Sequence, residues 1–122
     1  MTAESTIRSG IAKYIRDTYP DVIFRCDESG ENKPKRAGRL NKYLRSSNAM
    51  PDLFISEPRG GFYGLYVELK ADGFKLKKSN SQWTNEHIQE QAIMLDRLNN
   101  RGYCATFAVG YEEARGVIDG YL

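Results

Sequence analysis

Two short segments of the chain carry acidic and basic side chains that could act together. Asp52 follows Met50-Pro51 at the head of one apolar run, and Glu68 and Lys70 lie inside the next. Side chains alternate between the two faces of a strand, so Glu68 and Lys70 point to the same face. If the two runs are antiparallel neighbours, Asp52 joins them. Two carboxylates and an ammonium at one sheet edge are the groups that metal-dependent hydrolysis of a phosphodiester needs.

Each of these groups has a use in that chemistry. Two carboxylate oxygens, helped by a backbone carbonyl, can hold Mg²⁺ or Mn²⁺. The metal polarises the scissile phosphate and lowers the pKa of a bound water. Lys70 can orient that water or offset the charge that builds on the phosphate. The alternative interpretation is a plain cross-strand ion pair between Glu68 and Lys70, because both patterns are short and occur by chance.

Composition and charge fit a small nucleic-acid-binding protein. The chain has 122 residues, 40% of them hydrophobic and 28% charged, which predicts one soluble globular domain spanning residues 1–122. A net charge of +2 excludes a histone-like polycation, but the basic residues cluster in two polar stretches. A solvated loop is the alternative for either cluster. Our candidates for DNA contacts are Arg36, Arg39, Lys42, Arg45, Lys75, Lys77 and Lys78.

Several classes of protein are disfavoured by the residues that are scarce. No secretory signal and no long apolar run is present, so we expect a cytoplasmic protein without a membrane partner. Cys26 and Cys104 lack metal-type spacing and are expected to be reduced and half-buried thiols. The single histidine, His87, argues against a histidine-rich zinc site and is most simply a residue on a helix surface.

Apolar periodicity predicts an alternation of helices and strands. The polar stretch from 27 to 49 is long for a connection inside a compact domain, and we expect it to contact substrate and to contain a short helix near 39–44. The order α-β-β-β-α-β-α indicates an α/β fold with a mixed sheet flanked by helices. The predicted helices cover 3–19, 86–100 and 112–122, and the predicted strands cover 21–26, 52–56, 62–70 and 103–109.

Over nearly its whole length the chain resembles the VRR-NUC family, small stand-alone members of the PD-(D/E)XK nuclease superfamily that phages often carry. The resemblance rests on Glu4 in the first helix, Pro51-Asp52-Leu53, Val67-Glu68-Leu69-Lys70, the helix from Gln91 to Leu98, the strand after Gly102, and the closing segment from Glu112 to Leu122. A glycine that usually precedes the Pro-Asp pair is missing here, and the stretch between Lys70 and Gln91 is longer than in the shortest members.

The resemblance implies a role for each matched residue. Asp52 and Glu68 would be metal ligands together with the backbone carbonyl of Leu69, and Lys70 would be the catalytic lysine. Gln91 would be the helix glutamine near the metal or the phosphate, with Gln89 and Gln82 as competitors. Glu4 would be an accessory acid that reaches in from the first helix.

The resemblance also implies a fold, an activity and partners. We expect a restriction-endonuclease-like fold and an endodeoxyribonuclease that depends on Mg²⁺ or Mn²⁺ and leaves a 5′-phosphate. Stand-alone members resemble Holliday-junction resolvases that act as homodimers on branched or duplex DNA, in the host cytoplasm for a phage-encoded protein. Two alternatives stay open: a nuclease with a nicking or flap preference that serves phage replication or packaging, and a non-catalytic nucleic-acid-binding module.

Overall fold

The computed structural model of the protein describes residues 2–27 and 49–122. Four of the predicted DNA contacts, Arg36, Arg39, Lys42 and Arg45, lie outside the described residues, as does the helix predicted near 39–44. Within the described parts, no helix is both long and apolar enough to cross a bilayer. Cys26 and Cys104 are free and half-buried, as predicted.

Three helices and four strands make up the described parts of the chain, in the predicted order. Thr2 caps the first helix by accepting a hydrogen bond from the Ser5 amide, and Asn85 caps the second in the same way. The helices are α1 (Ala3–Thr18), α2 (Glu86–Asn99) and α3 (Tyr111–Tyr121). The strands are β1 (Phe24–Cys26), β2 (Leu53–Ile55), β3 (Leu65–Lys70) and β4 (Cys104–Val109).

The strands form one mixed sheet in the order β1-β2-β3-β4. β1 pairs with β2, and β2 with β3, in antiparallel fashion, whereas β3 and β4 are parallel. A parallel pair needs a crossover, and α2 provides it between β3 and β4. β3 therefore has a strand on each side and lies inside the sheet, as its apolar sequence predicted.

Helices cover both faces of the sheet. On one face α1 and α3 pack against the inward side chains of β2 and β3, including Leu53, Val67 and Leu69, in the larger core cluster. On the other face α2 contributes Met94, Leu95 and Leu98 to a second cluster. Because side chains alternate along β3, Leu65, Val67 and Leu69 face α1 and α3, while Tyr66, Glu68 and Lys70 face the side of α2.

β1 and β3 each begin three residues later than their apolar patterns predicted, whereas β2 and β4 begin one residue later. β1 starts at Phe24 because the residues before it close a turn, in which the Val22 amide donates to the Tyr19 carbonyl. β3 starts at Leu65 because Arg59 and Phe62 exchange two backbone hydrogen bonds in a tight turn of their own. The backbone N–H and C=O groups before β1 and β3 thus form hydrogen bonds within these turns, and they are not available to pair with a neighbouring strand.

Gly102, just after α2, is a position where the backbone requires glycine. Its φ is +94°, and a Cβ there would lie 2.5 Å from the ring of Tyr63. Gly102→Ala should therefore lower the free energy of unfolding by about 1–3 kcal/mol, through strain and the clash together. Urea or thermal unfolding measures the change.

The matched control for that substitution is Gly116→Ala in α3, where a Cβ meets nothing within 4 Å. Alanine in the middle of a helix should stabilise the protein there by up to about 1 kcal/mol. Equal stability changes at both glycines would contradict the described turn.

Candidate active site

The pairing of β2 with β3 brings the two predicted carboxylates together. Leu53 lies opposite Val67, so the same register, extended by one residue, places Asp52 opposite Glu68. Directly opposed residues of an antiparallel pair have Cβ atoms about 5 Å apart and project to the same face. Both side chains are buried, with exposed fractions of 3% and 1%. The antiparallel arrangement that the sequence interpretation required is therefore present.

Asp52 lies just before the first residue of β2, opposite the part of β3 that continues past the paired residues. Its Oδ2 accepts a hydrogen bond of 3.1 Å from the Leu69 amide. The N–H and C=O of one strand residue point to the same side, so the Leu69 carbonyl is directed toward the same edge as Asp52. Asp52 Oδ1 is buried without a hydrogen-bond partner.

Gln91 of α2 fixes Glu68 from the other side. Gln91 Nε2 donates a hydrogen bond of 2.9 Å to Glu68 Oε1, and both side chains are buried. Gln89, the competing glutamine of the same helix, is exposed. The structure thus places Gln91, and not Gln89, beside the carboxylates. Glu68 Oε2 and Gln91 Oε1 are buried without hydrogen-bond partners.

Lys70 joins the carboxylates through its ammonium group. Its Nζ lies 3.6 Å from Glu68 Oε1 and 4.0 Å from Glu4 Oε1 of α1. The ring of Phe74 lies below it, with its centroid 5.4 Å from Nζ. Glu4 therefore does reach the cluster, at its border and beside the lysine.

The burial of two facing carboxylates changes their acidity. Desolvation raises the pKa of Asp52, although the positive charge of Arg8 opposes the shift. Desolvation, followed by the negative charge of Asp52, raises the pKa of Glu68 well above its ordinary value, and Lys70 opposes that shift. A cation near both carboxylates would offset the negative charge of Asp52, which after burial is the second cause of the raised pKa of Glu68.

The donor atoms suit a hard divalent cation. Asp52 Oδ1 and Glu68 Oε2 are carboxylate oxygens that are buried and lack hydrogen-bond partners, and such atoms are costly unless something binds them. Oxygen donors of this kind, with the Leu69 carbonyl, are what Mg²⁺ and Mn²⁺ prefer. In residues 2–27 and 49–122, no group of three or more His, Cys, Asp or Glu is placed to hold a metal. A metal bound here would have Asp52, Glu68 and the Leu69 carbonyl as its candidate ligands among the described residues.

Arg8 is a charged residue of the site that the sequence interpretation missed. Its guanidinium is buried, donates a hydrogen bond of 3.1 Å from Nη2 to Ser5 Oγ, and has no partner at Nη1. The positive charge of this guanidinium acts on Asp52 and opposes the rise of its pKa. The sequence held a signal for this, because Arg8 lies at helical spacing from Ile11 and Ile15 on the apolar face of α1.

His87 is exposed on α2, as predicted, but it also touches the site. Its Nε2 lies 3.2 Å from Gln91 Nε2, one helical turn further along. The amide nitrogen of Gln91 can donate one hydrogen to Glu68 and the other to His87 Nε2 when the imidazole is the tautomer protonated at Nδ1. His87 thus helps to fix the orientation of the Gln91 amide. The i, i+4 spacing of the two residues was the available signal.

The second basic cluster lies close to the site in the chain and is exposed. Lys75, Lys77 and Lys78 follow Phe74, whose ring lies under Lys70, and precede α2. The sequence predicted a loop here, but residues 76–84 form a small hairpin closed by an antiparallel bridge between Lys77 and Trp83.

A solved structure described as a VRR_NUC domain protein has the same fold. The match covers 100% of this chain and 89% of that chain, with a TM-score of 0.65 and 20% sequence identity. No family model matches the sequence, and no curated protein matches it. The predicted α/β fold with a mixed sheet flanked by helices is confirmed, and the fold similarity over the full chain supports the VRR-NUC resemblance.

Proposed function

We propose that the protein is a nuclease, and more specifically a metal-dependent DNA endonuclease. The observation that carries this proposal is the pair of opposed, buried carboxylates, Asp52 and Glu68, each with an oxygen that lacks a hydrogen-bond partner, next to the ammonium of Lys70. Buried polar atoms without partners are uncommon in proteins, and they are found disproportionately at functional sites. The fold shared with a VRR_NUC domain protein supports the same conclusion.

In this proposal Asp52, Glu68 and the Leu69 carbonyl hold Mg²⁺ or Mn²⁺. When bound there, the metal would polarise the phosphate and lower the pKa of a coordinated water. Lys70, 3.6 Å from Glu68 Oε1, orients the attacking water and offsets charge on the phosphate. Gln91 holds Glu68 through its amide. The water oxygen bonds to phosphorus, the bond to O3′ breaks, and O3′ takes a proton, which leaves a 5′-phosphate and a 3′-hydroxyl.

The charge of the cluster suits this substrate. The carboxylates of Asp52 and Glu68 lie beside the ammonium of Lys70 and near the guanidinium of Arg8. A divalent cation bound between the carboxylates would add two positive charges, which the phosphates of DNA would balance. DNA and metal are therefore expected to bind cooperatively.

The substrate that we propose is branched DNA, cut by a homodimer, and the support for it is the resemblance to stand-alone VRR-NUC proteins. A C2 dimer presents two equivalent sites, which a four-way junction with two equivalent strands requires. Nicking or flap cleavage is the competing specificity within the same chemistry.

A cleavage assay tests activity and substrate together. The protein is incubated with a labelled four-way junction, a flap and a linear duplex, in Mg²⁺, in Mn²⁺ and in EDTA. We expect symmetric cuts in the junction, with 5′-phosphate ends, only when metal is present. Light scattering should give the mass of a dimer.

Other outcomes would revise the proposal in distinct ways. Cleavage of the flap alone would replace the junction specificity. A strict monomer would contradict the paired-site model. Failure to cut any of the three DNAs in either metal would overturn the nuclease proposal and favour a binding module in which Glu68 and Lys70 only pair with each other.

A further inference from the structure

The hairpin of residues 76–84 is built more firmly than a surface loop. The Lys78 amide donates to the Gln82 carbonyl at 2.7 Å, the Thr84 amide to the Leu76 carbonyl at 2.9 Å, and the Ser81 amide to the Lys78 carbonyl at 3.0 Å. Ser81, with φ of +67°, is the one non-glycine residue with positive φ in the described chain. A type I turn followed by a left-handed residue is a standard three-residue hairpin loop.

Aromatic contacts fasten this hairpin to the sheet next to the candidate site. The Trp83 ring packs against Phe107 of β4, with centroids 5.8 Å apart. Phe107 is the strand partner of Glu68 in the register of β3 and β4. The hairpin therefore stands at the rim of the cluster that contains Glu68.

One lysine of the hairpin is held in place by the same tryptophan. Lys77 Nζ lies 4.7 Å from the centroid of the Trp83 ring, within the range of a cation–π contact. A lysine stem that is already ordered loses less rotamer entropy when it binds a ligand. Lys77 is thus a cation with a defined position at the rim of the site.

The surface of the hairpin suits DNA better than a protein partner. Residues 73–85 contain three lysines and no acidic residue, and the loop of the hairpin consists of Ser79, Asn80 and Ser81, followed by Gln82. Lysine and serine are depleted in protein–protein interfaces, whereas lysine, serine and amide side chains commonly contact phosphate and sugar.

We propose that the hairpin 76–84 is a preformed wing that binds the DNA backbone beside the cleaved phosphodiester, with Lys77, stacked on Trp83, as its fixed phosphate contact. The proposal rests on the nuclease function proposed above, but it concerns a separate surface. It goes beyond a general basic patch, because it makes the position of Lys77, and not only its charge, part of the affinity for DNA.

The test measures binding without cleavage. A labelled duplex is titrated with the protein in Ca²⁺, at a series of salt concentrations, and the slope of log Kd against log salt is recorded. Lys77→Met should weaken binding about tenfold, as expected for one charge-assisted contact. It should also reduce the salt slope by about 0.9, the value for one phosphate. Lys77→Arg should behave like the wild type.

Two further variants separate position from charge. Lys13→Met, an exposed lysine of α1 that is paired with Asp17, is the matched control and should change neither affinity nor slope. Trp83→Leu keeps every charge but frees Lys77, so binding should weaken about threefold, with the slope preserved. Unfolding curves of all four variants check that each is folded.

The outcomes decide the wing independently of the nuclease activity. Equal affinity and equal slope for Lys77→Met and Lys13→Met would overturn the proposal. Wild-type binding by Trp83→Leu would also overturn it, because Lys77 would then act as an unanchored charge. If the wild type cuts no DNA but Lys77→Met still loses affinity and slope, the nuclease function fails and the wing stands.

Discussion

Asp52→Asn is expected to lower the rate of metal-dependent DNA cleavage about a thousandfold, which corresponds to about 4 kcal/mol of transition-state stabilisation. Asn keeps the shape of the side chain and an oxygen that can accept from the Leu69 amide, so the hydrogen bond of 3.1 Å can persist. What Asn removes is the negative charge needed to hold the cation. Single-turnover cleavage of a labelled junction in Mg²⁺ measures the effect.

The same substitution should leave DNA binding in place. Asp52→Asn removes one of the negative charges that repel the phosphate backbone. The affinity of the variant for DNA in EDTA should therefore equal or exceed that of the wild type. Asp96→Asn on the exposed side of α2 is the matched control and should cleave at the wild-type rate. A cleavage rate for Asp52→Asn within tenfold of that control would contradict the metal site.

The placement of the candidate site residues could be predicted because it is fixed by short-range rules. Strand alternation alone places Glu68 and Lys70 on one face, and a hairpin-like connection makes Asp52 an antiparallel neighbour. Helical periodicity put Gln91 beside the buried stripe of α2, where the structure has it.

What sequence reasoning missed depends on contacts between distant elements. Helical spacing places Arg8 on the apolar face of α1, but only the packing of α1 on the sheet buries its guanidinium and brings its charge to bear on Asp52. The hairpin 76–84 was not predicted because its sequence lacks alternating apolar residues. It is stabilised by the hydrogen bonds of its turn and by the packing of Trp83 on Phe107, which lies 24 residues further along the chain.

The predicted starts of the strands were wrong for a different reason. Residues 62–64 are apolar enough to extend β3, but the backbone of Phe62 is already bonded to Arg59 and the Tyr63 amide donates to the Gly102 carbonyl. A pattern of side chains predicts which face is buried and carries little information on which backbone groups find other partners.

The buried charges also explain why this domain should be less stable than its fold allows. Asp52, Glu68, Lys70 and Arg8 are each at most 5% exposed. Four buried atoms at the site have no hydrogen-bond partner: Arg8 Nη1, Asp52 Oδ1, Glu68 Oε2 and Gln91 Oε1. Burial of incompletely paired charge costs free energy, and active sites commonly accept that cost in exchange for function. Removal of the charge of one of the two facing carboxylates should therefore raise the stability of the metal-free protein.

Glu68→Gln is expected to abolish cleavage and, without metal, to raise the free energy of unfolding at neutral pH by about 1–2 kcal/mol. Glutamine keeps an oxygen that can accept from Gln91 Nε2, and Lys70 keeps Glu4 as a neighbour at 4.0 Å. The substitution removes the desolvated negative charge that faces Asp52. Thermal unfolding in EDTA measures the gain, and Glu90→Gln on the exposed side of α2 is the control.

The pH dependence has a definite sign. The pKa of Glu68 is raised well above its ordinary value of 4.5 in the folded protein, by burial first and by Asp52 second. Above pH 4.5 the unfolded chain therefore binds fewer protons than the folded chain, so the stability of the metal-free wild type falls as the pH rises toward the folded pKa. Glu68→Gln lacks this titrating carboxyl group. The difference in the free energy of unfolding between the variant and the metal-free wild type should therefore grow as the pH rises from 4.5.

Metal should reverse the order of stability. A cation that binds only the folded wild type adds about 2.7 kcal/mol at a concentration one hundred times its Kd, and Glu68→Gln should gain far less because one of its two carboxylate ligands is lost. Titration of Mn²⁺ should thus raise the unfolding temperature of the wild type past that of the variant. If Mn²⁺ shifts both proteins equally, or if the variant is less stable than the wild type in EDTA at neutral pH, Glu68 is a structural partner of Lys70 and not a metal ligand.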